Sequence, residues 1–147
     1  MDPYLLPKKK RLGQHFLHDT YIINQIVHHV APKSGDSFVE IGPGDGVLTQ
    51  ALLLHASVSA IELDRDLVGY LQEKFADNMR FSIRQADVLS VNYADYTRVK
   101  KRWFGNLPYN ISTPFLLSLT KINQAMVDGV FMVQYDCLLY TSPSPRD

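Results

Sequence analysis

The sequence has one cysteine, Cys137, among 147 residues. A single thiol excludes an internal disulfide and a cysteine-based metal cluster, so no metal is expected. No apolar run approaches the roughly 20 residues that a membrane-spanning helix needs. The N-terminus offers Asp2, Pro3 and the pair Leu5 and Leu6 ahead of a basic run, which lacks the apolar core of a secretory signal. Excess charge is missing too. With 15 basic and 15 acidic residues the formal net charge is zero, so overall charge makes no case for nucleic acid or a membrane surface. These absences leave the cytoplasm as the expected compartment. What is present, 46% hydrophobic and 20% charged residues, is ordinary for a soluble globular protein, and the length suits one domain with its own core. The charge that stands out is local: Lys8, Lys9, Lys10 and Arg11 in a row, followed by Gly13 and Phe16. Basic residues beside an aromatic can touch phosphate and base together, whereas charge alone favours a solvated arm.

Residues 38–46 read Phe-Val-Glu-Ile-Gly-Pro-Gly-Asp-Gly, and Val47, Leu48, Ala51 and Leu52 follow with helical spacing. This predicts a strand, a tight turn and a helix start, the place where a parallel α/β sheet holds a nucleotide-like ligand. Gly42, Gly44 and Gly46 open backbone conformations closed to other residues. The spacing is G-x-G-x-G, not the G-x-G-x-x-G of dinucleotide enzymes, and Pro43 removes one N–H that a pyrophosphate would use. The turn therefore suits a ligand without a pyrophosphate. With Glu40 two residues ahead of the first glycine, the stretch resembles the first motif of the S-adenosylmethionine-dependent methyltransferases.

The rest of the chain falls into place around that turn. A helix is predicted from Asp19, with Ile22, Ile23, Ile26, Val27 and Val30 on its apolar face, ended by Pro32 and Gly35; His28 and His29 read as surface residues. A second strand over residues 57–63 ends at Glu62, twenty residues after Gly42, where an acid accepts both ribose hydroxyls. Asp64 belongs to the start of the next helix, whose buried stripe is Leu67, Val68, Leu71 and Phe75. A third strand over residues 80–86 ends at Asp87, placed to accept a hydrogen bond from the exocyclic amine of a cofactor's adenine. A tyrosine-rich irregular stretch precedes a fourth strand over residues 101–107, which ends in Gly105-Asn106-Leu107-Pro108-Tyr109-Asn110. A helix is predicted from Thr113 as cap and Pro114 as first residue, and a fifth strand over residues 129–134.

Four stretches in order, residues 10–17, 39–49, 61–66 and 105–114, closely resemble the KsgA-type ribosomal RNA adenine dimethyltransferases. The resemblance implies an α/β, Rossmann-like class I methyltransferase fold. It also implies transfer of methyls from S-adenosylmethionine to N6 of two adjacent adenosines near the 3′ end of small-subunit ribosomal RNA, in a pre-30S-type subunit, by a monomer. Residue by residue, cofactor contacts fall on His15, Leu17, Gly42, Glu62, Asp87 and Asn106, with His15 standing where asparagine is usual. Asn106, Leu107, Pro108 and Tyr109 form the catalytic tetrapeptide. An adenine amine is a poor nucleophile because its lone pair is delocalised; the Asn106 side-chain oxygen and the Leu107 carbonyl would draw it towards tetrahedral geometry, and Tyr109 matches the aromatic that stacks on the target base. Lys8, Lys9, Lys10 and Arg11 become candidate RNA contacts.

The resemblance breaks near Gln134, where family members continue with further strands and a helical C-terminal domain. The expected division is a basic arm over residues 1–17, an incomplete catalytic domain over 18–134 and a non-native tail over 135–147, a product expected to be inactive by itself. Two other readings remain open at this point: the sister family that dimethylates a large-subunit adenosine and confers macrolide resistance, which typically carries Asn-Ile-Pro-Tyr, and a non-catalytic RNA-binding assembly factor on the same fold.

Overall fold

A computed structural model describes residues 19–133, leaving aside the side chains of Tyr109, Thr120, Ile122 and Gln124. The basic arm, His15, Leu17 and residues 134–147 lie outside the described residues. Asp19 caps the first helix, α1 (Thr20–Val30), by accepting from the N–H of Tyr21 at 2.9 Å. The helix stops because Ala31 turns left-handed at φ 48°, one residue ahead of Pro32. Five parallel strands follow: β1 (Ser37–Ile41), β2 (Ser57–Glu62), β3 (Phe81–Gln85), β4 (Lys101–Leu107) and β5 (Met126–Val133). Their spatial order is β3-β2-β1-β4-β5. The chain thus winds outward from β1 in one direction, returns, and winds outward in the other, leaving a crevice at the reversal between β1 and β4.

Helices cover both faces. Phe38, Val58 and Phe104 face α1 and the next two helices, α2 (Val47–Leu53) and α3 (Arg65–Lys74), in a cluster with Leu48, Leu52 and Leu71. Val39, Ile41, Ile61, Trp103 and Leu107 face the opposite way, against Phe115 of α4 (Tyr109–Ile122) and Ala125. Two-sided burial explains why the central strands β1 and β4 read as apolar runs, whereas β3 at the sheet edge alternates, with Phe81 and Ile83 half-buried and Ser82 and Arg84 exposed. The predicted stripe of α3 is buried at all four positions, and Asp64 caps that helix through the N–H groups of Asp66 and Leu67 at 2.8 and 3.1 Å.

Two boundaries differ from expectation by more than a residue. The helix after the fourth strand does not begin at Thr113 and Pro114. Pro108 is its cap, Pro114 lies inside it, and the first turn is held by the N–H groups of Ile111 and Ser112, each 3.1 Å from the Pro108 carbonyl. Pro114 removes the bond to the Asn110 carbonyl, a local loss outweighed by the complete burial of Phe115. The fifth strand begins at Met126 rather than Gly129, because Asp128, which looks like a strand breaker, is the cross-strand partner of Arg102 at 2.9 Å.

Candidate functional site

The glycine turn folds as its spacing requires. Gly42, Gly44 and Gly46 have φ values of 63, 61 and 84°, all in the left-handed region that disfavours a side chain. At Gly46 space is also absent, since a Cβ would lie 2.7 Å from Leu71 Cδ2 and 2.9 Å from Phe75 Cε2 of the α3 segment. Gly42 differs. A Cβ there would meet only the Asn106 carbonyl oxygen, at 3.9 Å, so the backbone leaves an open cradle facing the end of β4. The two motifs, 64 residues apart in sequence, are neighbours at the sheet reversal.

The turn uses its own donors. Gly42 N–H bonds the Ile61 carbonyl and Gly46 N–H bonds the Pro43 carbonyl, both at 3.0 Å, while Val47 N–H reaches Asp45 Oδ1 at 3.4 Å. With Pro43 offering none, the turn has too few outward N–H groups to hold a pyrophosphate. A ligand here is gripped by shape and by acids.

Alternation along the strands puts Glu40, Glu62 and Asn106 on the same sheet face as Phe38, Val58 and Phe104, the face towards α2. Glu62, at the end of β2, is half-buried, and one carboxylate oxygen accepts the Asp64 N–H at 3.0 Å, which fixes the direction of the group. Asp87 is exposed one residue past Ala86, whose N–H bonds the Glu62 carbonyl at 3.0 Å. Its Oδ1 also closes a local turn with the Leu89 N–H at 2.9 Å. Asn106 is half-buried at the end of β4; Leu107 has its side chain wholly in the core, so only its backbone can take part in the site. Pro108, with φ −61° and ψ 150°, turns the chain sharply into α4. Tyr109 opens that helix, its side chain outside the described set. The structure thus brings Gly42, Glu62, Asp87, Asn106, Leu107 and Pro108 to one end of the sheet.

Three features owe their role to contacts that the sequence alone does not display. Glu40 is fully buried under the turn and accepts a hydrogen bond from the Thr49 hydroxyl of α2. Burial pushes its carboxyl up to about 8, with the negative charges of Glu62 and Asp45 acting in the same direction against the Thr49 bond. Gly105 admits no side chain, since a Cβ would lie 2.7 Å from the Ile41 carbonyl oxygen of β1. Lys74 donates to the Asp45 carbonyl at 2.9 Å and ties α3 to the turn; its partial burial lowers its pKa, opposed by Asp45. Gly105 was visible as the residue before Asn106, but its reason is a contact between strands.

A reversed parallel sheet with a three-glycine turn after β1 and an acid at the end of β2 defines the class I methyltransferase fold. Solved structures share it: the 23S rRNA methyltransferase ErmE has a TM-score of 0.68 at 24% identity, over 82% of this chain and 48% of its own. A dimethyladenosine transferase from Plasmodium falciparum gives 0.68 at 24% identity, over 80% and 42%. The family model "Ribosomal RNA adenine dimethylase" matches residues 6–141, and the chain belongs to that family. Curated relatives include the ribosomal RNA small subunit methyltransferase A of Coxiella burnetii, 43% identical over 88% of this chain and 51% of the relative. The protein of the same name from Hahella chejuensis is 44% identical over 95% and 52%. The chain spans about half the length of the curated relatives it matches.

Proposed function

We propose that this chain carries the cofactor turn and the base-orienting tetrapeptide of an S-adenosylmethionine-dependent enzyme that dimethylates N6 of two adjacent adenosines near the 3′ end of small-subunit ribosomal RNA. The observation that carries the reading is the open cradle at Gly42, where a Cβ would meet only the Asn106 backbone oxygen at 3.9 Å, at the sheet reversal where Glu62 and Asp87 also lie. S-Adenosylmethionine fits this donor set. It has ribose hydroxyls for Glu62, an adenine amine for Asp87, no pyrophosphate, and positive charge that suits a crevice edged by acids. His15 and Leu17 complete the cofactor contacts in this reading. When bound, the cofactor supplies an electrophilic methyl group.

The chain's own residues handle the other reactant. The Asn106 side-chain oxygen and the Leu107 carbonyl accept the two hydrogens of the target amine and turn its lone pair towards the methyl. Pro108 fixes the angle at which these acceptors meet the base, and Tyr109 provides a stacking face. No general base is needed, because the nitrogen becomes strongly acidic once alkylated. Lys8, Lys9, Lys10 and Arg11 take phosphates of the same RNA. The setting is a monomer, without metal, acting on a pre-30S-type subunit in the cytoplasm. Among the described residues no helix is long and apolar enough to cross a membrane.

The test is calorimetric titration of the chain with S-adenosylmethionine, followed by methylation of small subunits from cells that lack the modification and mapping of the modified adenosines. A full-length relative such as the Hahella chejuensis protein serves as control. Modification of large subunits instead would move the reading to the macrolide-resistance type; RNA binding without transfer by either protein would move it to an assembly factor.

A further inference from the structure

We propose that the end of the sheet opposite the cofactor crevice, around residues 98–102, is a second contact surface for the phosphate backbone of a large folded RNA. This rests on the ribosomal RNA reading above and adds where that RNA is held.

The charges sort by end. At the C-terminal ends of the strands stand Asp45, Glu62, Asp64 and Asp87. At the N-terminal ends the order is reversed. Arg98 and Lys100 are exposed in the segment that leads into β4, and Lys101 opens that strand opposite Met126 of β5. Lys33 is exposed in the loop before β1, next to the same strand end, since its N–H and the Arg102 guanidinium share Asp36 Oδ2 at 2.8 and 3.1 Å. Lys121 is exposed in the last turn of α4, just ahead of Ala125, whose carbonyl takes the Trp103 indole N–H at 3.2 Å. The acids of this corner, Asp36 and Asp128, are both engaged by Arg102. Arg98, Lys33, Lys100, Lys101 and Lys121 make no ion pair among the described residues.

A surface of this kind selects its partner. The basic side chains come from three separate segments, and the exposed apolar residues beside them, Val99, Val127 and Leu117, are isolated aliphatics with no exposed aromatic among the described residues there, so the aromatic anchor typical of a protein interface is absent. Spaced lysines and an arginine without an anchor suit a polyanion with a charge every few ångström. The acid-edged crevice favours a cationic small molecule and repels phosphates, so an RNA that delivers one base to Asn106 gains its affinity elsewhere. From Lys101 to Leu107 is roughly 20 Å at about 3.3 Å per residue, well within the reach of a folded RNA.

The experiment replaces Arg98, Lys100 and Lys101 together by alanine and leaves Arg102 intact. Binding to a transcript of the 3′ domain of small-subunit ribosomal RNA, and to purified small subunits, is measured from about 50 to 200 mM KCl. The expected result is a loss of two to three from the log–log salt slope and at least a tenfold loss of affinity near 0.1 M salt, with S-adenosylmethionine binding and the thermal midpoint unchanged. Lys100→Glu alone, at an exposed position, gives the same direction should the triple variant be poorly folded. An unchanged slope and affinity would overturn the proposal while leaving the enzymatic reading intact. Weaker binding to subunits with unchanged binding to the transcript would overturn it in favour of an acidic protein partner. Failure of the unaltered chain to bind either RNA would overturn the ribosomal RNA reading and this surface with it.

Discussion

Replacing Glu40 by glutamine is expected to change how the stability of this chain depends on pH. Glu40 is buried, bonded by Thr49, and its carboxyl is raised from an ordinary 4.5 to about 8. Between those two values the folded chain keeps a proton that the unfolded chain has lost. The native state then binds more protons, so unfolding free energy falls as pH rises through this window. The contribution is fully present below about 4.5 and lost above about 8. At 1.36 kcal/mol per pH unit the loss relative to acid conditions is about 3 kcal/mol at pH 7 and approaches about 5 kcal/mol above pH 8. Glutamine has the shape of the protonated acid, accepts from Thr49 through its carbonyl, and does not titrate. Other groups titrate in both proteins and cancel in the difference. Urea unfolding followed by the fluorescence of Trp103, the single tryptophan and 1% exposed, gives both curves at pH 5, 6, 7 and 8. Stability of the variant relative to the parent should climb by several kcal/mol from pH 5 to pH 8. A constant difference across the window would refute the claim that Glu40 is held as a neutral acid.

Three further outcomes follow from the same geometry. Glu62→Ala should cost charge-assisted hydrogen bonds worth about 1.5 to 3 kcal/mol, a ten- to hundredfold loss of S-adenosylmethionine affinity by calorimetry; unchanged binding removes Glu62 from the site. Asn106→Ala, or its counterpart in a full-length relative, should depress methyl transfer far more than cofactor affinity, because its oxygen acts mainly in the transition state, and near-normal single-turnover rates would discard the orienting role. Arg102→Met should lower stability by about 1 to 3 kcal/mol, since it abandons Asp36, Asp128 and the Val30 carbonyl in a corner where Asp128 is half exposed and screened by solvent; a thermal midpoint within a degree or two of the parent would show that this guanidinium does not clamp α1, β1, β4 and β5.

Local chemistry made most of the frame legible. The cap at Asp19, the cap at Asp64, the stripe of α3 and the three left-handed glycines each depend on residues within a turn or two of one another, and all stand where their patterns put them. Legibility failed where a distant partner decides. Pro114 signals a helix start, yet the burial of Phe115 extends the helix back to Tyr109. Asp128 and Gly129 interrupt an apolar run, yet Arg102 across the ladder admits the acid into β5. Glu40 reads as one letter of a motif, and its neutral state depends on Thr49, Asp45 and Glu62 meeting around it. Of the candidate site, the placement of its residues at strand ends was legible and the reason for their spacing was not.

That reason lies in two glycines on either side of one peptide group. Ile41 ends β1, and its carbonyl is the atom that a Cβ on Gly105 would strike at 2.7 Å. Gly42, the next residue, begins the turn and is held to β2 through the Ile61 carbonyl. Strand β4 can therefore close on β1 only because Gly105 lacks a side chain, and the closure sets Asn106 beside the open cradle of Gly42. A larger residue at 105 would push β4 away from β1, and Asn106, the acceptor proposed for the target amine, would move relative to the glycine turn. An approach of this kind between reacting partners is sensitive to shifts of about an ångström. Gly105 touches neither cofactor nor base in this reading, yet it fixes the distance between the residues that do.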